Sequence, residues 1–445
     1  MKKCSLPIYT MSHLLVDLIC FLTLFGRYDG LVSSPLVGFL AYNVVAFGLQ
    51  PLLGHINDVY KKLPLGAIGC LLLAIGALPF ELLLPNVSEG GKLLSVTLSL
   101  GLCALGNAMF HVGGGIDTLV KSGGKMWKSG VFVSTGAIGV ALGTLFADTL
   151  YSSESVILFL LPSAVALLLA AAICLLCRPE TEPEYAKADM DVSNGRLGTW
   201  LVIALCFFSI AIRSYGGSLF SPTWKSGLWL ALLPALCAAA GKASGGFIAD
   251  KLGARTVGVI SLLLSVPLFF FGRDNILISA AGIILFNMSM SITLAAIYSR
   301  LQNSPGLAFG ITTLALLLGS LPLAFFAVGG QTAAILTAAL TIVSAACLFF
   351  SLKGMTRKAN RSAEEPCTGE RTEETVTVEQ AEEADAVGQA EESGIAAEAE
   401  AAEESEIAAE SEAAEESGIL LDSEEVDKTD EFTEPEGFIE IEEGV

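Results

Sequence analysis

Charge is scarce in this sequence, and what there is sits in one place. Charged residues make up 16% of its 445 residues, against roughly 25% in soluble domains. From Ser362 onward there are about 31 acids and 2 bases, so the formal net charge of −21 belongs to the C-terminal stretch. The remaining body carries a net charge of about +8 and is mostly apolar. Spread this thinly, the bases make no nucleic-acid footprint. Cysteine pairing is also missing. The ten cysteines lie mostly inside apolar runs and show no framework of paired spacings. Cys174 and Cys177 form a C-x-x-C, but no second Cys/His pair stands near enough to complete a metal site. There is no P-loop and no nucleophile–base grouping. These absences exclude an ATP-driven pump and argue against an enzyme; no cofactor and no metal are expected. The first apolar run lacks a small-residue cleavage pattern and carries His13 and Asp17, so it reads as a retained segment rather than a signal peptide.

Long apolar runs are what the chain has in abundance. Stretches of about 20 apolar residues match the roughly 30 Å hydrocarbon layer of a bilayer. They fall near 6–27, 35–54, 64–84, 93–118, 129–150, 155–177, 198–219, 226–248, 256–272, 276–298, 307–328 and 331–353. Ala, Leu and Gly dominate them without the alternation of barrel strands. The expectation is an all-α integral membrane protein of about twelve transmembrane helices. Lys and Arg segregate between alternate connections: Lys61, Lys121, Lys128, Arg178, Lys251, Arg300 and Lys353 on one side, Arg27, Lys92, Lys225 and Arg273 on the other. By the positive-inside rule both termini are cytoplasmic, in a multi-pass plasma (inner) membrane protein.

A polar stretch with two prolines, 178–197, divides the body. The expected organisation is two pseudo-symmetric six-helix bundles, 1–177 and 198–354, joined by that cytoplasmic linker. After them, 355–445 is read as a disordered acidic tail. Its repeats "AEESGIAAEAEA", "AEESEIAAESEA" and "AEESGILLDSEE" are too poor in apolar residues to build a core. The tail is either a solvated appendage or a docking arm for a cytoplasmic partner.

Two charged crossings stand about 192 residues apart, each just after the second run of its half. "GGFIADKLGAR" contains Gly246, Asp250, Lys251, Gly253 and Arg255; "GHINDVYKKL" contains Gly54, Asp58 and Lys62. Glycine lets helices approach closely, and an Asp at the membrane edge can meet the positive end of a neighbouring helix, worth about 0.3–1 kcal/mol and up to about 2 when partly buried. The repeat reads as a pair of cytoplasmic latches. Ionisable groups at mid-span cost about 2.5–3.5 kcal/mol, which singles out a few more residues. His13 and Asp17 lie one turn apart in the first run. Asn107, His111 and Asp117 lie in the fourth, with His111 and Asp117 toward its cytoplasmic end. Arg213 lies in the seventh, and Asn287, Ser289 and Thr293 in the tenth. Shifted by the interval of about 192 residues, Arg213 falls opposite Phe21, one turn beyond Asp17, so Asp17 and Arg213 are placed to pair. Lys242 reads as a residue reaching back to the cytoplasmic surface.

The Gly246–Arg255 stretch resembles the cytoplasmic signature of the major facilitator superfamily, Gly-x-x-x-Asp-Arg/Lys-x-Gly-x-Arg. "GHINDVYKKL" looks like a decayed copy, with Val59 and Lys61 in place of the usual base and glycine. "SHLLVDL", "GNAMFHVGGG", "KSGGKMWKSG", "STGAIGVALG" and "AIRSYGG" look like the fosmidomycin-resistance-type efflux branch. The fifth run is similar to the glycine-rich antiporter pattern through Gly136, Gly139 and Gly143, without its proline. The resemblance implies a monomeric secondary transporter with a central site between the halves, exchanging protons for a small organic solute. His13, Asp17 and Arg213 would then couple proton to substrate, and Asn107, His111, Asn287, Ser289 and Thr293 would line the cavity. Uptake of a sugar or organic acid stays open as an alternative, as does a non-transporting membrane sensor or scaffold with an acidic docking tail.

Overall fold

The computed structural model describes residues 5–29, 35–61, 63–79, 88–151, 156–176, 190–191, 198–225, 227–326, 328–353 and 356–357. Most of the 355–445 tail and of the 178–197 linker lies outside them, as do Lys62 and Cys177. Within them the fold is helical, apart from a two-residue ribbon that pairs Met190–Asp191 antiparallel with Thr356–Arg357.

The helices follow the apolar runs. α1 is Ser5–Phe21 and widens into a π-helical segment, Leu22–Tyr28. α2 is Pro35–Asn43 and passes through a second wide segment, Val44–Gly48, into α3, Gln50–Val59. Next come α4 (Leu65–Gly76), α5 (Glu89–Val120), α6 (Met126–Tyr151) and α7 (Val156–Leu176). α8 (Thr199–Leu219), α9 (Leu228–Leu252) and α10 (Ala254–Phe271) follow. The tenth run is broken at Met288 into α11 (Ile276–Asn287) and α12 (Ser289–Arg300). α13 is Pro305–Ser320 and α14 is Gly330–Ser351. Ten of the described helical stretches are long and apolar enough to cross a membrane, and the third run appears as the shorter apolar helix Leu65–Gly76.

All these helices belong to one compact unit. Their large side chains face outward along much of their length, as at Trp200, Trp229, Phe271 and Leu277, which suits a lipid solvent. Small residues face neighbouring helices, because lipid supplies no hydrophobic drive between them and close backbone packing must do the work. The glycines of the fifth run show this. A Cβ on Gly139 would stand 2.3 Å from the Leu14 carbonyl oxygen, and one on Gly143 2.7 Å from that of Leu18. Glycine there lets α6 lie directly on α1, and that contact positions the site. The other extensive contacts of α6 are with α9, while α13 packs on α3 and α8.

Candidate functional site

Four buried polar residues meet where α1 and α5 cross. His13 and Asp17 stand one turn apart on α1, as their spacing requires, with His13 Nε2 3.2 Å from Asp17 Oδ2. Asn107 Nδ2 donates to Asp17 Oδ1 at 2.9 Å. His111, one turn beyond Asn107, brings its Nε2 to 2.7 Å from His13 Nε2 and 3.9 Å from Asp17 Oδ1. All four are buried. Phe132 of α6 closes one side, its ring 4.9 Å from that of His13. Among the described residues, His13, Asp17 and His111 are the one group of three potential ion-holding side chains. His111, expected toward the cytoplasmic end of its span, lies in the last third of α5 and against His13.

The cluster faces an internal cavity of about 400 Å³. His13, Asp17 and His111 form one wall. Phe39, Asn43 and Phe47 come from the second run, on and beside its wide turn, and Ser214 and Ser218 come from α8. Thr312, Thr313 and Ser320 come from α13. Lys242 of α9 also lines the cavity. This residue was misread as a surface-seeking lysine. Its intramembrane position was visible in "AAAGKASGG", but nothing in one dimension shows which way the stem runs.

Arg213 is buried, yet it does not meet Asp17 as expected. Its guanidinium donates to Ser289 Oγ at 2.6 Å, to Thr293 Oγ1 at 3.0 Å and to the Ser209 carbonyl at 3.3 Å. The break at Met288 places Ser289 and Thr293 on this arginine. Asn287 donates to the Ile283 carbonyl at 2.9 Å on its own helix. Of the five cavity candidates, His111 is among the residues lining this cavity; Asn107, Asn287, Ser289 and Thr293 are not. Arg27, read as a loop base, is buried: it donates to the Gly76 and Leu78 carbonyls and to Ser99 Oγ, closing the end of α4. Asp117 pairs with Lys121 at 2.7 Å, partly exposed.

The two charged crossings converge on one end of the bundle. Asp58, beyond the middle of α3, accepts from the backbone N–H groups of Gly306 and Leu307 at 2.8 Å each, at the start of α13. Asp250, on α9, accepts from those of Met126 and Trp127 at 2.9 and 3.1 Å, at the start of α6. Each carboxylate thus holds the electropositive end of a helix far away in sequence, which is the favourable pole for an anion. Close glycine contacts accompany both. A Cβ on Gly54 would meet the Gly306 carbonyl at 2.2 Å, and one on Gly246 the Met126 carbonyl at 2.6 Å. Gly253 turns α9 into α10 with a φ of +93°, a region that favours glycine. The bases do not pair with Asp250: Lys251 is exposed, and Arg255 lies over the Phe349 ring at 3.9 Å. Lys62 lies outside the described residues.

No protein-family model and no curated protein sequence matches the chain. Solved structures do resemble it. The Escherichia coli fucose:proton symporter FucP matches with a TM-score of 0.56 at 15% identity, over 78% of this chain and 98% of that one. The human organic anion transporter MFSD10 matches with a TM-score of 0.55 at 17% identity, over 78% and 99%. A bacterial homologue of the iron transporter ferroportin, in an outward-facing state, matches at 0.50 and 15%, over 78% and 99%. The fold is that of the major facilitator transporters. The cavity lies between helices drawn from both ends of the sequence, and the Asp-capped contacts join α3 to α13 and α6 to α9.

Proposed function

We propose that this protein is a secondary active transporter of the major facilitator type, which exports a small organic solute in exchange for protons by alternating access. The carrying observation is the pairing of a polar, ionisable cavity with two equivalent latches at one end. Burying His13, Asp17, His111 and Arg213 in a membrane bundle costs several kcal/mol in total, and a scaffold has no use for it. The repeated latch supports two six-helix halves, 1–177 and 198–354, that rock about the cavity. With Asp58 and Asp250 both engaged, the chain is closed at the end where the positive-inside rule puts the cytoplasm. The neighbour crystallised in an outward-facing state accords with that reading. Lys242 brings positive charge to the cavity wall and the buried Arg213, outside the lining, adds to the field there, so the solute carries an anionic group. The His13–Asp17–His111 cluster takes and releases the proton.

Purified protein in proteoliposomes under opposed and aligned pH gradients tests the coupling. Unidirectional flux that ignores the sign of the gradient removes the proton step. The solute is sought by thermal shift against small anions, sugars and drugs: a compound that stabilises the wild type but neither Arg213→Ala nor Lys242→Met identifies ligand and site together. Whole-cell accumulation with and without the protein separates export from uptake.

A further inference from the structure

The two cavity histidines raise a question that Asp17 alone does not answer. His13 Nδ1 lies 2.8 Å from the Phe132 carbonyl oxygen, and His111 Nδ1 lies 2.9 Å from that of Asn107. A carbonyl only accepts, so each Nδ1 carries hydrogen. In a neutral imidazole the other nitrogen then presents a bare lone pair. Two neutral rings, packed edge to face with centroids 4.4 Å apart, would therefore bring two bare Nε2 atoms to within 2.7 Å of each other. That is hydrogen-bond distance, yet two acceptors with nothing between them repel. Something positive belongs in the gap.

We propose that one proton is shared between Nε2 of His13 and Nε2 of His111, so that the pair is a singly charged bis-imidazole cation and Asp17 is its ionised counter-ion. The carboxylate sits astride the gap, with Oδ2 3.2 Å from His13 Nε2 and Oδ1 3.9 Å from His111 Nε2. Asn107 donates to the same carboxylate, a bond that favours the charged acceptor. Cation and carboxylate sum to zero, which limits the cost of holding both out of water. The other ionisable groups nearby are Lys242, which also lines the cavity, Cys20, which accepts from Asn107, Cys103 and Tyr42 beside Cys20, Tyr9 beside Phe132 and the hydroxyl-held Arg213. None of them stands between the rings. A tetrahedral metal ion bound at about 2.0–2.1 Å by both nitrogens would hold them about 3.3 Å apart, so the 2.7 Å separation matches a shared proton more closely than a shared metal ion. Gly136 leaves the proton a route. A Cβ there would stand 2.4 Å from His13 Nε2 and 2.5 Å from Asp17 Oδ2, and Gly136 itself lines the cavity. The proton that arrives from the cavity forms an N–H bond to one ring and a hydrogen bond to the other; on leaving, it returns to cavity water and restores two lone pairs.

This deepens the proton-coupled reading and rests on it only for the proton's use in transport; the experiment reads the proton itself. The chain has three histidines, and His55, exposed and away from the cavity, is removed by His55→Asn. Full-length protein with isotope-labelled histidine is reconstituted in lipid bilayers without metal and studied by solid-state NMR near neutral pH. The expected result is scalar coupling between two Nε2 nuclei through one proton, lost in both His111→Gln and His13→Gln. Thermal unfolding of each variant reports its folding, and the wild-type coupling stands even where a variant fails. Two independent rings with bare Nε2 atoms would overturn the proposal. So would Nε2 signals that change only on adding zinc and revert with chelator, which would make the site a metal site.

Discussion

Asp58→Asn gives the sharpest test of the latch. Asp58 accepts two backbone N–H groups, from Gly306 and Leu307, through its two oxygens. Asparagine keeps one acceptor, loses the other, and removes the charge facing the start of α13. Loss of the helix-end interaction, up to about 2 kcal/mol when partly buried, together with one charge-assisted hydrogen bond offset by water, sets the local cost at about 1–2 kcal/mol. Each 1.4 kcal/mol is a factor of ten, so amides held by this contact should exchange roughly 5- to 30-fold faster. Hydrogen–deuterium exchange with mass spectrometry reads this directly in peptides spanning Gly306 and Leu307. The reach of the effect matters more than its size. Met126 and Trp127 are held by Asp250, on a separate helix pair. If both latches close one moving end, Asp58→Asn also accelerates exchange at Met126 and Trp127, and Asp250→Asn accelerates it at Gly306 and Leu307. Acceleration confined to the mutated contact means that the two are independent caps, and no acceleration anywhere means that neither holds the end shut; each result refutes the latch argument.

Asp17→Asn should abolish gradient-driven flux while leaving membrane insertion and expression intact, as followed by proteoliposome transport and membrane fractionation. Gly54→Val should push α3 off α13, where even a Cβ meets the Gly306 carbonyl at 2.2 Å, lowering stability by about 1–3 kcal/mol in thermal unfolding; Gly90→Val, in open space, is the control. Arg213→Lys should behave as a loss, because one ammonium cannot reproduce the fork that meets Ser289 and Thr293; thermal shift should show partial destabilisation that Ser289→Ala no longer adds to. Lys242→Met should leave the fold stable and remove stabilisation by anionic compounds, whereas retained stabilisation would detach Lys242 from the ligand.

The sequence by itself determined the elements. Runs long enough to cross a bilayer become helices there because backbone N–H and C=O groups have no water to turn to. The period-3.6 spacing of His13 and Asp17, and of Asn107 and His111, set each pair on one helix face before any packing was known. The carboxylate contacts with helix starts were legible for the same reason: Gly-x-x-x-Asp repeated at one interval is a local pattern, and the affinity of a carboxylate for a helix start is a local property. Partners were a different matter. Asp17 found Asn107 and two imidazoles rather than Arg213, and Arg213 found Ser289 and Thr293, because the break at Met288 and the glycine face of α6 fix which helices touch. Lys242 turned inward for the same reason. A side chain's neighbours on other helices depend on helix rotation and tilt, and those come from the sum of many small contacts along the bundle. Only the packed structure performs that sum.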